Sequence, residues 1–160
     1  MLKPANFVSM QVILMSIKPK YAEQIIRGNK TIELRRVAPN LDKATVILIY
    51  ESTPVKAITG YAFISEITKL SPSEAWAQYA GKAQISKRDF DEYYQGTDHA
   101  FAIHLKEAAR LLEPISLANL RSEQILFNPP QSYRYLHLQA FGEEIGQEIH
   151  AVKQRATAAC

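Results

Sequence analysis

Hydrophobic and polar positions along the chain change rhythm several times, and each change marks an element. Val12-Ile13-Leu14-Met15 is a short apolar run with β-branched residues at its start, closed by Lys18-Pro19, and predicts a first strand. Pro19 suits the first turn of a helix, with Tyr21, Ala22, Ile25 and Ile26 at helical spacing and Gly28 as the stop. From Lys30 the period drops to two. Thr31, Glu33 and Arg35 then share one face of a strand, and Ile32 and Leu34 share the other. Val37 to Lys43, with Pro39, Asn40 and Asp42, reads as a loop. Thr45 to Tyr50 is apolar almost throughout and predicts a strand buried on both faces. Glu51 to Pro54 breaks it. Lys56 to Leu70 is β-rich, and Gly60 marks a bulge or a close backbone approach.

The second half predicts a helical excursion. Ser71-Pro72-Ser73-Glu74 carries an N-cap, a first-turn proline and a capping box, for a helix ending near Tyr79 and stopped by Gly81. Ser86-Lys87-Arg88-Asp89 starts another, running through Tyr93 and Tyr94 to Gly96. Ala100 to Leu105 reads as a strand that the next residues extend, and Pro114 to Leu120 as a turn or short helix. Asn128-Pro129-Pro130 forbids regular structure, and a final helix follows Tyr135, weakened by Gly142 and Gly146. This order is neither alternating βαβ nor all-helical. It predicts an α+β fold, a small β-barrel with helices packed at its ends.

Composition adds bounds. The chain of 160 residues is long enough for one domain with a real core. Its 19 basic and 16 acidic residues leave a net charge of +3, which permits a nucleic-acid partner without establishing one. The single cysteine, Cys160, excludes an intrachain disulfide and a cysteine-based zinc site. A cytoplasmic location is the simplest fit, with no membrane partner, because no stretch reaches the roughly 20 apolar residues of a span. The apolar N-terminus is interrupted by Ser9 and Gln11 and has no small-residue cleavage site before the charged KPK. The histidines His99, His104, His137 and His150 lack metal spacing, so no metal and no cofactor are expected. Serine hydrolase, P-loop and dinucleotide fingerprints are absent.

Candidate chemistry concentrates between Ser16 and Arg36. Lys30 can supply a point charge to a phosphate or oxyanion, or act as a base or nucleophile if burial lowers its pKa. Glu33 can accept from an exocyclic amine or orient its neighbours, and Arg35 offers a planar fork. A solvated edge strand, or an ion network that only holds the barrel together, fits the same pattern. Tyr50, Ser52 and Lys56 lie where the buried strand turns back. Tyr50 can stack on a base or simply pack. Gln131-Ser132-Tyr133-Arg134-Tyr135, stiffened by two prolines, reads as a loop that recognises a base edge or caps the barrel. Trp76, Tyr79, Phe90, Tyr93 and Tyr94 sit at helical spacing and read as core and lid packing.

Gly28-Asn29-Lys30-Thr31-Ile32-Glu33-Leu34-Arg35 resembles the G-x-K-x-x-E-x-R signature of ASCH domains, a branch of the PUA-like superfamily. The resemblance extends to Ile17 through Ala22, Ile49-Tyr50, Pro54-Val55, Gly60, Gly81 to Tyr94 and Pro129 to Tyr135. It implies a pseudo-barrel of about six mixed strands with a cleft beside the first helix and the signature strand. The organisation that follows is a flexible leader over 1–10, the ASCH domain over 11–136, and a C-terminal helical extension and tail over 137–160. Members are thought to bind RNA or nucleotides, so the expected partner is RNA or a modified nucleoside, with a regulatory role around translation or transcription. The expected ligand-binding residues are Lys18, Lys30, Glu33, Arg35, Tyr50, Ser52, Lys56, Gln131, Ser132 and Tyr133. Some members are N4-acetylcytidine amidohydrolases or ribonucleases, which would make Lys30, with Glu33, catalytic. Departures weigh against the amidohydrolase: Glu33 stands where those enzymes carry threonine, and no acidic residue lies between Glu74 and Asp89.

Overall fold

The computed structural model describes residues 10–123 and 127–158. Strands β1 (Gln11–Ile17), β2 (Ile32–Arg35), β3 (Val46–Glu51), β4 (Ala57–Leu70), β5 (Ala100–Ser116) and β6 (Tyr133–His137) form one mixed sheet in the order β2-β5-β4-β3-β1-β6. Only β1 and β3 pair in parallel, joined by α1 (Pro19–Ile26) and β2. Helices α2 (Pro72–Ala83) and α3 (Lys87–Tyr94) fill the β4–β5 connection, α4 (Leu117–Glu123) follows β5, and α5 (Glu143–Ala158) ends the described chain. The edge strands β2 and β6 do not pair, so the sheet is barrel-like without closing. Side chains bridge the opening instead: Arg35 Nη2 donates to the Ser16 carbonyl (2.9 Å), and the Tyr133 hydroxyl donates to the Ala38 carbonyl (2.8 Å).

β3 is buried at every position because both of its faces are covered. Val46, Leu48 and Tyr50 join Val12 and Leu14 in a core closed by Leu120 of α4 and by Ile145 and Ile149 of α5. Ile47 and Ile49 join Ile13, Met15 and Ile17 in a second core with Ala22 and Ile25 of α1. A third core holds α2 and α3 against β2 and β5, with Phe90 and Tyr94 buried and Trp76, Tyr79 and Tyr93 packed around them. Gly60 is the close approach its position predicted. A Cβ there would meet the Ala109 carbonyl at 2.7 Å and Ile26 Cδ1 at 2.8 Å, so only glycine lets α1 lie on this part of the sheet.

Four expectations are corrected. Gly81 does not stop α2: the helix continues to Ala83, which is buried in the third core, and Gln84 ends it in the left-handed region at φ 51°. Pro114 lies inside the long strand β5, and the short helix expected over Pro114 to Leu120 starts later, as α4 at Leu117. Ile58 pairs with Ile115 and Gly60 with Arg110, so residues 111–114 bulge out of the ladder where no amide hydrogen is required. Tyr133 to Tyr135 are the edge strand β6, antiparallel to β1, not a loop. After it comes a 3-10 turn (Leu138–Phe141), then Gly142 at φ 94°, and only then α5. The leader lies, apart from Met10, outside the described residues. No described helix is long and apolar enough to cross a membrane.

Candidate functional site

α1 ends on a tight turn in which Gly28 has φ 81° and the amides of Asn29 and Lys30 both donate to the Gln24 carbonyl at 3.0 Å. That turn swings the Lys30 side chain back under α2. Its side chain is 4% exposed, and the ammonium meets three acceptors: the Ile32 carbonyl at 2.9 Å, the Ala83 carbonyl at 2.5 Å and Glu33 Oε2 at 3.2 Å. Ala83 ends α2, so the charge also complements the negative end of that helix. Glu33 Oε1 accepts from Arg35 Nε at 2.8 Å. The period-two strand therefore does place Glu33 and Arg35 on one face, and Lys30 and Arg35 hold the carboxylate between them. Burial pushes the Glu33 carboxyl up, but the two adjacent cations outweigh it and hold it below the ordinary carboxylate range. The Tyr94 hydroxyl donates to the Arg35 carbonyl at 3.1 Å and fixes the strand end, and burial pushes that hydroxyl up.

This network forms one wall of a cleft of about 520 Å³, within the usual size range of small-molecule sites, roughly 300–1,000 Å³. The end of β1 supplies Ser16 and Ile17, the N-cap of α1 supplies Lys18, α1 supplies Tyr21, and α3 supplies Asp89, Glu92 and Tyr93. Ser52, Ile85 and Gln131 complete the rim with Leu34. Lys18, Lys30 and Arg35 are matched by Glu33, Asp89 and Glu92, so the lining is balanced in charge. Asp89 accepts from Lys20 Nζ (3.1 Å) and the Tyr21 hydroxyl (3.3 Å), and the bond from Lys20 lowers its carboxyl pKa most. The ring of Tyr21 faces the Lys30 ammonium at 5.3 Å. A neutral, flat ligand with hydrogen-bond donors on its edge suits this arrangement better than a free anion.

Of the residues expected from sequence, Lys18, Lys30, Glu33, Arg35, Ser52 and Gln131 meet at the cleft. The other four are held elsewhere. Tyr50 is 3% exposed and packs in the core beneath α4 and α5. Lys56 is exposed on the turn before β4, at φ 52°. Ser132 accepts from the Ser16 amide through its carbonyl at 3.0 Å, and Tyr133 is tied to Ala38. Sequence reasoning missed Tyr21, Asp89, Glu92 and Tyr93 as cleft residues. Asp89, Glu92 and Tyr93 fall at i, i+3 and i+4, one face of a helix, and that spacing was the available signal.

The chain matches the model of the ASCH domain over residues 15–116. It is 32% identical over 123 residues to the ASCH domain-containing ribonuclease of Zymomonas mobilis, covering 77% of this chain and 82% of that protein. The crystal structure of ASCH from Zymomonas mobilis superposes with a TM-score of 0.76 at 30% identity, over 85% of this chain and 94% of that one. The N-terminal domain of Staphylothermus marinus McrB shares the fold alone, at a TM-score of 0.53 and 14% identity. With the family model covering most of the chain and a relative this similar over most of its length, the protein belongs to the ASCH domain family.

Proposed function

We propose that this protein acts on RNA by holding an unstacked nucleobase, plain or modified, in the cleft between β2, α1 and α3. The observation that carries this reading is the Glu33 carboxylate, fixed by Lys30 and Arg35 and turned to a charge-balanced cleft with tyrosines on its walls. Fixed acceptors read the amino and imino hydrogens of a base edge, and aromatic rings stack on its face. A relative named as a ribonuclease supports RNA as the polymer. Lys18, exposed at the mouth, meets the sugar–phosphate chain as it enters. In this reading Lys30 is a positioning residue, because all three of its hydrogens already have acceptors.

The test is fluorescence anisotropy with a labelled single-stranded oligoribonucleotide. Glu33→Gln and Lys18→Ala should each weaken binding, the second without lowering the melting temperature. Unchanged affinity in both would put the site elsewhere. Cleavage is the second reading, favoured by the ribonuclease relative. Incubating the protein with RNA, and separately with N4-acetylcytidine, and analysing products distinguishes turnover from a binding module with a regulatory role.

A further inference from the structure

Among the described residues, one buried side-chain nitrogen or oxygen has no hydrogen-bond partner: Nε of Arg134. Arg134 lies on β6 opposite Leu14, on the face of the sheet shared with Leu48 and Tyr50 and away from Tyr133 and Tyr135. An aliphatic residue would fill that position without a dry, unpartnered donor. Its guanidinium lies over the ring of Phe127 at 5.0 Å. From α4, Arg121 reaches the same residue, with Nε donating to the Phe127 carbonyl at 3.2 Å. Neither arginine has a carboxylate within ion-pair distance among the described residues, as is also true of Arg36, Arg88 and Arg155, whereas Arg27, Arg35 and Arg110 each have one. Two guanidinium groups thus gather about one phenylalanine, with no carboxylate paired to either among the described residues. Burial pushes the Tyr50 hydroxyl up and the Arg121 charge opposes it, so Tyr50 lies within reach of Arg121.

We propose that Arg121 and Arg134, converging on Phe127, form a second site, one for an anion, that takes a phosphodiester of the RNA strand whose base enters the cleft. The proposal rests on the RNA reading above. The path between the two sites is short. Gln131 lines the cleft, and Arg134 follows three residues later, about 10 Å of extended chain, with its side chain on the opposite face of the edge strand. Ser16 ties the segment leading to Arg134 to the cleft, lining the cleft while its amide donates to the Ser132 carbonyl and its hydroxyl to the Pro130 carbonyl at 2.6 Å. Planar forks without a carboxylate partner match phosphate oxygens in geometry and charge. The balanced cleft reads the base, and this basic pair holds the backbone beside it.

The experiment titrates the full chain with a fluorescein-labelled single-stranded 12-mer RNA at several salt concentrations, alongside a free nucleoside. Arg134→Met and Arg121→Gln should each weaken RNA binding roughly tenfold at low salt. Each should also shrink the slope of log K against log salt by about 0.7, the value for one lost single-strand phosphate contact. Nucleoside binding, which engages only the cleft, should not change, and Arg134→Lys should recover part of the slope. Arg134→Met should melt no lower than the wild type, since it removes a buried unpartnered donor. RNA affinity and slope unchanged in both variants, while Lys18→Ala still weakens binding, would overturn this site and leave the cleft standing. Failure of the wild type to bind the RNA at any salt concentration would overturn both.

Discussion

A buried ammonium must replace the water it leaves, and at Lys30 the replacements are two carbonyls and one carboxylate. Breaking one member of such a set leaves the others dry and unpaired. Lys30→Ala should therefore destabilise the fold by about 3 kcal/mol in urea denaturation, more than an ordinary surface substitution. Glu33 adds a pH signature. Its carboxyl titrates near 4.5 when unfolded and lower when folded, so its stabilisation is complete above that pH and fades as pH falls through the folded value. The stability gap between wild type and Glu33→Gln should be constant from pH 7 down to about 5 and shrink below 4.5. A gap that widened in acid would mean the carboxylate is not held by its cations. At this scale the signature strand was readable, because period-two alternation alone sets Glu33 beside Arg35. The saturation of Lys30 was not, since its tightest acceptor, Ala83, comes from a helix 53 residues away in the chain. Likewise Tyr50 at its strand end could stack or pack, and the tertiary structure places it in the core that β1, β3 and β4 share with α4 and α5.

Elements whose limits are set by local chemistry were legible, and those set by distant partners were not. Ser71 caps α2 as its neighbours predicted, its side chain accepting from the Glu74 amide at 3.2 Å while the Ser71 amide donates to the Glu74 carboxylate at 2.9 Å. Ser71→Ala should cost about 1 kcal/mol, read as a shift in the urea midpoint. Gly81 misled because a helix stop inferred from glycine alone ignores what lies beyond it: Ala83 has a buried place to occupy and Lys30 to meet. The left-handed residue is Gln84, so Gln84→Gly should be neutral to slightly stabilising. β5 runs far past its apolar alternation because β4 pairs with it along both halves, around the bulge at 111–114. Leu112 in that bulge is 84% exposed, and its amide donates to Glu148 of α5 at 3.1 Å, a contact no local pattern announces. Gly60→Ala tests how tightly α1 is seated. The added carbon meets a carbonyl and a side chain inside contact distance, and overpacking of this kind costs about 1–3 kcal/mol.

At the scale of the whole molecule, the two sides of the sheet do different work. One side carries α1 and, next to it, α2 and α3 at the end of β2 and β5, and the cleft opens among these helices. The other side is covered by α4, the 3-10 turn and α5, with Leu138, Phe141, Ile145 and Ile149 buried in the core they share with β1, β3 and β4. Ile145 and Ile149 stand one helical turn apart on α5 and point into that core together. Each buried isoleucine contributes about 2 kcal/mol relative to exposure, so the pair approaches half of a typical domain's net stability of roughly 5–15 kcal/mol. A chain cut after Gly142 would lose both and open the core that they share with β5 and the 3-10 turn to water. Such a truncation should unfold at a urea midpoint far below that of the full chain, or without a cooperative transition, and Ile145→Ala with Ile149→Ala should move partway in the same direction. The double substitution leaves the cleft's own residues in place, so nucleoside binding at low temperature should survive in the fraction that remains folded. If it were lost while the circular dichroism spectrum stayed native, the two sides of the sheet would be coupled more closely than their separate cores imply.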